Sequence, residues 1–265
     1  MEYILNQQEF KFNFTGESVI DRNQYHHTDL FGPEVSWYGN GYTTIKTGSE
    51  FIEVIRNNIL EYINNIFTEL GLGRLNNLEN YHQIVQSDEV HYTILKKIGK
   101  NILSSELEMD VCLLEGLVKK KCKIDYFIHS GFVCDIRVIR PYKGKENFLD
   151  NNPLHRDTWL KSINNCINVW IPVAGCNQLS NLTLVPGSHL WNEGVVERTK
   201  SNAIINQVKY GLPAVTKINK PFKVIRPNLK TNEVLLFSSH LLHGGAINLN
   251  TDKTRVSVEI RFWRI

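Results

Sequence analysis

Residues 232–262 read NEVLLFSSHLLHGGAINLNTDKTRVSVEIRF, and this stretch decides the architecture. Two apolar runs, 233–242 and 255–262, flank the turn-rich segment NLNTDKT (248–254). This pattern predicts two strands paired as a hairpin, with Arg255 brought close to His243. Alternation places Arg255 and Ser257 on one face of the second strand and Val256 and Val258 on the other. Gly244 and Gly245 leave room beside His243 for another group to approach.

Working outward, short β-branched runs recur through the second half. They are VCDIRVIRP (133–141), NCINVWIPV (165–173), NLTLVPG (181–187) and FKVIRP (222–227), separated by Pro, Gly and Asn. Many short strands without intervening helices point to an antiparallel sandwich or barrel. The first half differs. Ile52, Ile55, Ile59, Tyr62, Ile63, Ile66 and Leu70 recur at helical spacing after Ser49, the expected N-cap, and Gly71 stops the run. Two or three further helices are expected over 77–118, one around 90–103. Residues 1–48 read as an irregular extension with one or two short strands. No linker separates the halves, so 1–265 is expected to form one domain, with 1–125 as extension and supporting helices and 126–265 as the β-core.

Composition narrows the partners. A net charge of +3 over 265 residues argues against nucleic acid or an anionic membrane as the partner, leaving a small-molecule substrate. Lys119–Lys121 with Lys123 read as a solvated turn. The five cysteines are odd in number and form no Cys-x-x-Cys pair, as in a reducing compartment. No apolar run is long enough to span a membrane and no signal peptide is evident, so the cytoplasm is expected. Oligomeric state is not legible.

The chemistry-bearing residues lie in LHRDTWL (154–160) and HLLHGG (240–245). His155 and Asp157 are two apart, so on extended chain they point to one side. With His243 they make a two-histidine, one-carboxylate set, the facial triad of non-heme Fe(II) oxygenases. His240 is the rival third ligand, disfavoured by its register against the glycines and Arg255. An arginine grips a carboxylate through two parallel hydrogen bonds, and Ser257 adds a hydroxyl. A dicarboxylate chelating iron at one end and meeting Arg255 at the other is 2-oxoglutarate.

The order His-x-Asp, NVWIPV (168–173), LTLVPGSH (182–189) and the 232–262 block resembles the phytanoyl-CoA dioxygenase-like branch of Fe(II)/2-oxoglutarate oxygenases, over roughly residues 130–265. The resemblance implies an α+β, mainly β fold, a double-stranded β-helix (jelly-roll, cupin-like) core buttressed by N-terminal helices. It makes His155, Asp157 and His243 the iron ligands and Arg255, assisted by Ser257, the partner of the distal 2-oxoglutarate carboxylate. It places Trp170 on the cosubstrate pocket and leaves Arg137 and Thr183 as candidates for the proximal carboxylate. It implies Fe(II), 2-oxoglutarate and O2 as cofactor and cosubstrates, with succinate and CO2 released as a C–H bond is oxidised. Asn232-Glu233 stands where the family commonly has Gly-Asp. Asp157 argues against the halogenating variant, which has a small residue there.

Other readings stay open. A His2Asp hydrolase or isomerase on a similar barrel would use the same ligands, and a non-enzymatic ligand-binding jelly roll would use none. His189 reads as pocket wall or surface, Trp159 as a core aromatic, and Arg140, Glu259 and Arg261 as ion pairs or, with Arg137 and Lys161, as pocket-facing polar groups. The block HRDTWLKSINNCINVWIPV (155–173) resembles family members from surface-carbohydrate gene clusters more than acyl-CoA hydroxylases. This points to a small polar substrate such as a sugar nucleotide or polyol.

Overall fold

The computed structural model describes residues 1–20, 31–99, 102–124, 128–129, 133–142, 152–160, 166–205, 208–244 and 247–264. The chain opens with five short strands, β1 (Glu2–Leu5), β2 (Gln8–Lys11), β3 (Phe14–Thr15), β4 (Ser18–Ile20) and β5 (Tyr42–Lys46). Four helices follow, α1 (Ser49–Glu69), α2 (Tyr81–Ile84), α3 (Asp88–Ile98) and α4 (Val111–Cys122), with β6 (Ile102–Leu103) between the last two. The remainder is β7 (Ile128–His129), β8 (Val133–Ile139), β9 (Cys166–Ala174), β10 (Thr183–Leu184), β11 (Val196–Thr199), β12 (Ile204–Ile205), β13 (Val208–Lys209), β14 (Val215–Ile218), β15 (Glu233–Ser238), β16 (His243–Gly244) and β17 (Arg255–Arg264). This is a β-rich mixed α/β fold whose strand pairs are antiparallel.

The main sheet runs β5-β15-β9-β17-β8-β6, with β7 also on β17. Alternation gives it two unlike faces. Val169, Ile171, Val234, Leu236, Val256, Val258, Ile260 and Phe262 pack against the apolar stripe of α1, where Ile55, Ile59 and Ile63 are fully buried. Each such isoleucine stabilises the fold by roughly 1.5–3 kcal/mol. The opposite face carries Asn168, Trp170, Arg255, Ser257, Glu259 and Arg261, and it looks into the site. Shorter sheets, β1-β2, β14-β11-β4, β13-β12-β3 and β10-β16, complete the β-structure of the described residues.

The helix boundaries follow local chemistry. Gly71, at φ 68°, ends α1 in a Schellman turn, with Leu72 N donating to Phe67 O at 2.8 Å and Gly71 N to Thr68 O at 3.2 Å. The N-cap is Gly48 rather than Ser49, and no side chain caps that end. The helix expected around 90–103 is α3, which stops before Gly99 because that residue takes φ 70°. Lys119–Lys121 form no turn. They close α4, where cations complement the negative end of the helix dipole.

Three further expectations need correction. Residues 1–48 are no loose extension, since β3, β4 and β5 pair with β12, β11 and β15. FKVIRP (222–227) contributes only one isolated bridge, Ile225 with Leu184. The expected hairpin does not form. Instead β16 pairs with β10, while β17 pairs with β7, β8 and β9. β16 and β17 therefore belong to different sheets, which a turn-rich segment between two strands does not reveal.

Candidate metal centre

His155 and His243 are joined through their backbones. His155 N donates to His243 O at 2.9 Å and His243 N to His155 O at 3.0 Å. Gly244 makes the approach possible, because a Cβ there would stand 3.0 Å from Pro153 O and 3.1 Å from Asn152 O. Gly245 lies outside the described residues. Between the two chemical side chains, Arg156 points the other way. It is buried, with Nη1 donating to Glu193 Oε1 at 2.7 Å and Nη2 to Ser188 O at 2.8 Å. Asp157 then opens a 3-10 turn, Asp157–Trp159.

Three ligand atoms converge. Asp157 Oδ1 lies 3.5 Å from His155 Nε2 and 3.7 Å from His243 Nε2. One donor atom from each residue lies within 4.8 Å of the others, and all three residues are buried. His155 Nδ1 donates to Pro153 O at 2.8 Å and His243 Nδ1 to Leu241 O at 2.9 Å. A carbonyl only accepts, so the proton sits on Nδ1 of both rings and each Nε2 keeps its lone pair for a ligand. Asp157 Oδ2 accepts from Asn168 Nδ2 at 2.8 Å and faces Arg261 Nε at 3.5 Å.

The electrostatics suit a cation. Burial, and then the neighbouring His155, lowers the His243 pKa to about 4, so the ring is neutral near neutral pH. Burial pushes the Asp157 carboxyl up, but His243, which gains its charge in the acid range where that carboxyl would titrate, and the Arg261 guanidinium outweigh it and hold the group well below the ordinary range. Arg261 is buried too, yet Asp157 and Glu259 raise its pKa and keep it charged.

A cavity of about 750 Å³ opens onto this centre. His155, Asp157, His243, Arg137, Trp170, Arg255, Glu259 and Arg261 all line it, so Arg255 shares the cavity with His243 without a hairpin between them. Arg255 is buried, donates through Nη1 to Ser180 O at 3.0 Å, and has its guanidinium 6.0 Å from the Trp170 ring centroid. Ser257 Oγ is buried and has no hydrogen-bond partner among the described residues. Thr183 does not reach the cavity. Its hydroxyl donates to Gly244 O at 3.2 Å, while Leu182 and Leu184 on either side pack with Trp170.

The rival residues fall elsewhere. His240 is buried outside the cavity lining, and His189 is fully buried against Phe31 and Tyr38, so it is neither pocket wall nor surface. Arg140 pairs with Asp88 at 2.6 Å. Trp159 packs, partly buried, against a hydrophobic core cluster, and its Nε1 also donates to Glu193 Oε2 at 3.3 Å. Lys161 lies outside the described residues. Asn168, Asp135 and Glu193 were not anticipated. A lone polar residue two before Trp170 in an otherwise apolar strand was the available signal for Asn168.

The phytanoyl-CoA dioxygenase (PhyH) family model matches residues 122–257, a stretch that takes in half the chain and His155, Asp157 and His243. The chain belongs to the phytanoyl-CoA dioxygenase family. It is accordingly an enzyme of the non-heme iron, 2-oxoglutarate-dependent class. Among solved structures, AviO1 from Streptomyces viridochromogenes Tue57 matches with a TM-score of 0.51 and 15% identity, over 86% of this chain and 91% of that one. The apo form of the non-heme monooxygenase ThoJ matches with a TM-score of 0.52 and 11% identity, over 86% of this chain and 75% of that one. At these identities the likeness is one of fold. No curated protein matches the chain. Within the described residues of this phytanoyl-CoA dioxygenase family member, no helix is long and apolar enough to cross a membrane.

Proposed function

We propose that the chain is an Fe(II)- and 2-oxoglutarate-dependent dioxygenase that hydroxylates, or otherwise oxidises, a C–H bond of a small polar metabolite, releasing succinate and CO2. The observation that carries this reading is the convergence of His155 Nε2 and His243 Nε2 on Asp157 Oδ1, at a cavity that Arg255 also lines. The donor set fits the metal: two neutral imidazoles and one carboxylate on one side of an ion leave its other side open. His155, Asp157 and His243 would hold Fe(II), which with bound 2-oxoglutarate supplies the O2 chemistry. Arg255 would grip the far carboxylate of 2-oxoglutarate with its planar fork. The unpartnered Ser257 hydroxyl, two residues along the same face, would donate to it. Trp170 walls that path and excludes water from it. Arg137 is engaged with Asp135 and Glu259, so we assign it to the substrate side rather than to the keto acid.

We read the β-rich part as a double-stranded β-helix within one domain spanning 1–265. The main sheet would form one wall and the short sheets holding β10, β11, β14 and β16 the other, with the cavity between. Five cysteines with no disulfide among the described residues favour a reducing compartment such as the cytoplasm. The test is anaerobic addition of Fe(II) and 2-oxoglutarate, which should produce a weak visible charge-transfer band that is lost in Asp157→Ala. A protein that binds Fe(II) without ever developing the band would refute the reading.

A further inference from the structure

Four charged side chains stand on the cavity wall beside the candidate metal centre, Asp135 and Arg137 from β8 and Glu259 and Arg261 from β17. Asp135 and Glu259 are register partners across the two strands. Each acid faces both arginines. Arg137 Nη2 lies 3.6 Å from Asp135 Oδ2 and 3.8 Å from Glu259 Oε2. Arg261 Nη1 lies 3.6 Å from Asp135 Oδ2, and its Nη2 lies 3.4 Å from Glu259 Oε2.

These contacts are loose. All four exceed the roughly 2.7–3.2 Å of a well-made N–H···O bond, whereas Arg156–Glu193 closes to 2.7 Å and Arg140–Asp88 to 2.6 Å. Arg137 is 33% exposed, and the other three side chains retain only 13–16%. The quartet is thus neutral as a whole, mostly removed from water, and left with hydrogen-bonding capacity directed at the cavity.

Charge alternation selects the ligand. An ammonium approaching either carboxylate would meet a guanidinium less than 4 Å away. A ligand carboxylate approaching either guanidinium would meet an acid at the same range. A hydroxyl gains from both neighbours, because it donates to the carboxylate and accepts from the arginine in one place. Tyr92 and Trp263 line the same cavity and add apolar surface against which the C–H side of a ring can pack.

We infer that Asp135, Arg137, Glu259 and Arg261 form the recognition wall for a polyhydroxylated substrate, a sugar or cyclitol ring held with one C–H bond toward the metal. This assignment rests on the dioxygenase reading and deepens it. Arg261 touches both the quartet and Asp157 Oδ2, so the wall that recognises hydroxyls abuts the carboxylate that would hold the iron.

The experiment uses the full chain loaded anaerobically with Fe(II) and 2-oxoglutarate. D-glucose, D-galactose, myo-inositol and UDP-glucose are added in turn, with L-proline and decanoyl-coenzyme A as counter-probes, and binding is followed by calorimetry and by change in the visible band. At least one polyhydroxylated probe should bind and perturb the band, and tighter binding of UDP-glucose than D-glucose would identify a nucleotide-linked sugar. Asp135→Asn and Glu259→Gln should each weaken that binding about tenfold while the band formed with 2-oxoglutarate alone persists. Response only to L-proline or decanoyl-coenzyme A, a band untouched by every polyhydroxylated probe, or unchanged affinity in both variants would overturn the assignment. If no band forms in the unaltered protein, the dioxygenase reading falls and takes this one with it.

Discussion

Arg261 sets its Nε 3.5 Å from Asp157 Oδ2, and Asn168 on the adjoining strand donates to the same oxygen at 2.8 Å. The carboxylate is held from behind, with Oδ1 turned to the two imidazoles. Groups that orient a ligand in this way typically affect metal affinity 10–100-fold. Asn168→Ala should therefore weaken Co(II) binding by about that factor. Anaerobic titration against a competing chelating dye measures it, and an unchanged dissociation constant would show that Asp157 needs no support.

Arg255 lines the cavity, and Ser257 lies two residues along the same face of β17. Removing one partner of a buried charge pair costs about 2–5 kcal/mol, so Arg255→Met should raise the 2-oxoglutarate dissociation constant at least thirtyfold or so. Arg255→Lys should not restore it, because a point charge lacks the two-pronged geometry. Ser257→Ala removes one hydroxyl and should cost about five- to tenfold. Calorimetry with Mn(II)-loaded protein reads both, and equal affinity in all variants would move the cosubstrate elsewhere.

The Arg156–Glu193 pair is almost wholly buried, at 0% and 4% side-chain exposure. Glu193→Ala strands the guanidinium and should cost about 3–5 kcal/mol of unfolding free energy. Glu193→Gln keeps an acceptor for Arg156 and should cost less. Urea midpoints with matched m-values test the order, and similar losses in the two variants would remove charge from the explanation.

Glu79 accepts from Arg56 Nη1 at 2.9 Å and from Gly175 N at 3.4 Å, while its own carbonyl accepts from Thr254 N at 2.8 Å. It thereby ties the helices to the start of β17. Burial pushes its carboxyl up, but Arg56's hydrogen bond and charge hold it below the ordinary value of 4.5. A depressed acid stabilises the fold fully above its unfolded pKa and loses that contribution as pH falls through the folded one. Glu79→Gln should lower Tm near neutral pH and flatten the Tm–pH curve below about 4.5. Parallel curves for the two proteins would count against the ion pair.

Legibility tracked period and length. The stripe from Ile52 to Leu70 and the long strands β8, β9, β15 and β17 repeat often enough to declare their type. Two-residue strands such as β10 and β16 contain no full repeat, so although the runs that hold them read as strand-like, their bounds and partners could not be read. The hairpin expectation failed for that reason, since nothing local distinguishes a turn from a crossing between sheets. His155 and Asp157 stood out by their spacing of two, and His243 and Arg255 by the order of blocks shared with the family. Asn168, Glu193 and Asp135 meet Asp157, Arg156 and Arg261, which are 11, 37 and 126 positions away, and one sequence does not pair such residues.

The reciprocal amide–carbonyl bonds between His155 and His243 have a consequence for metal traffic. Because the main chain already zips two of the three donors together, an ion can leave and another enter without the surrounding strands coming apart. A preparation that carries the wrong divalent cation should then be rescued by simple dialysis rather than by refolding.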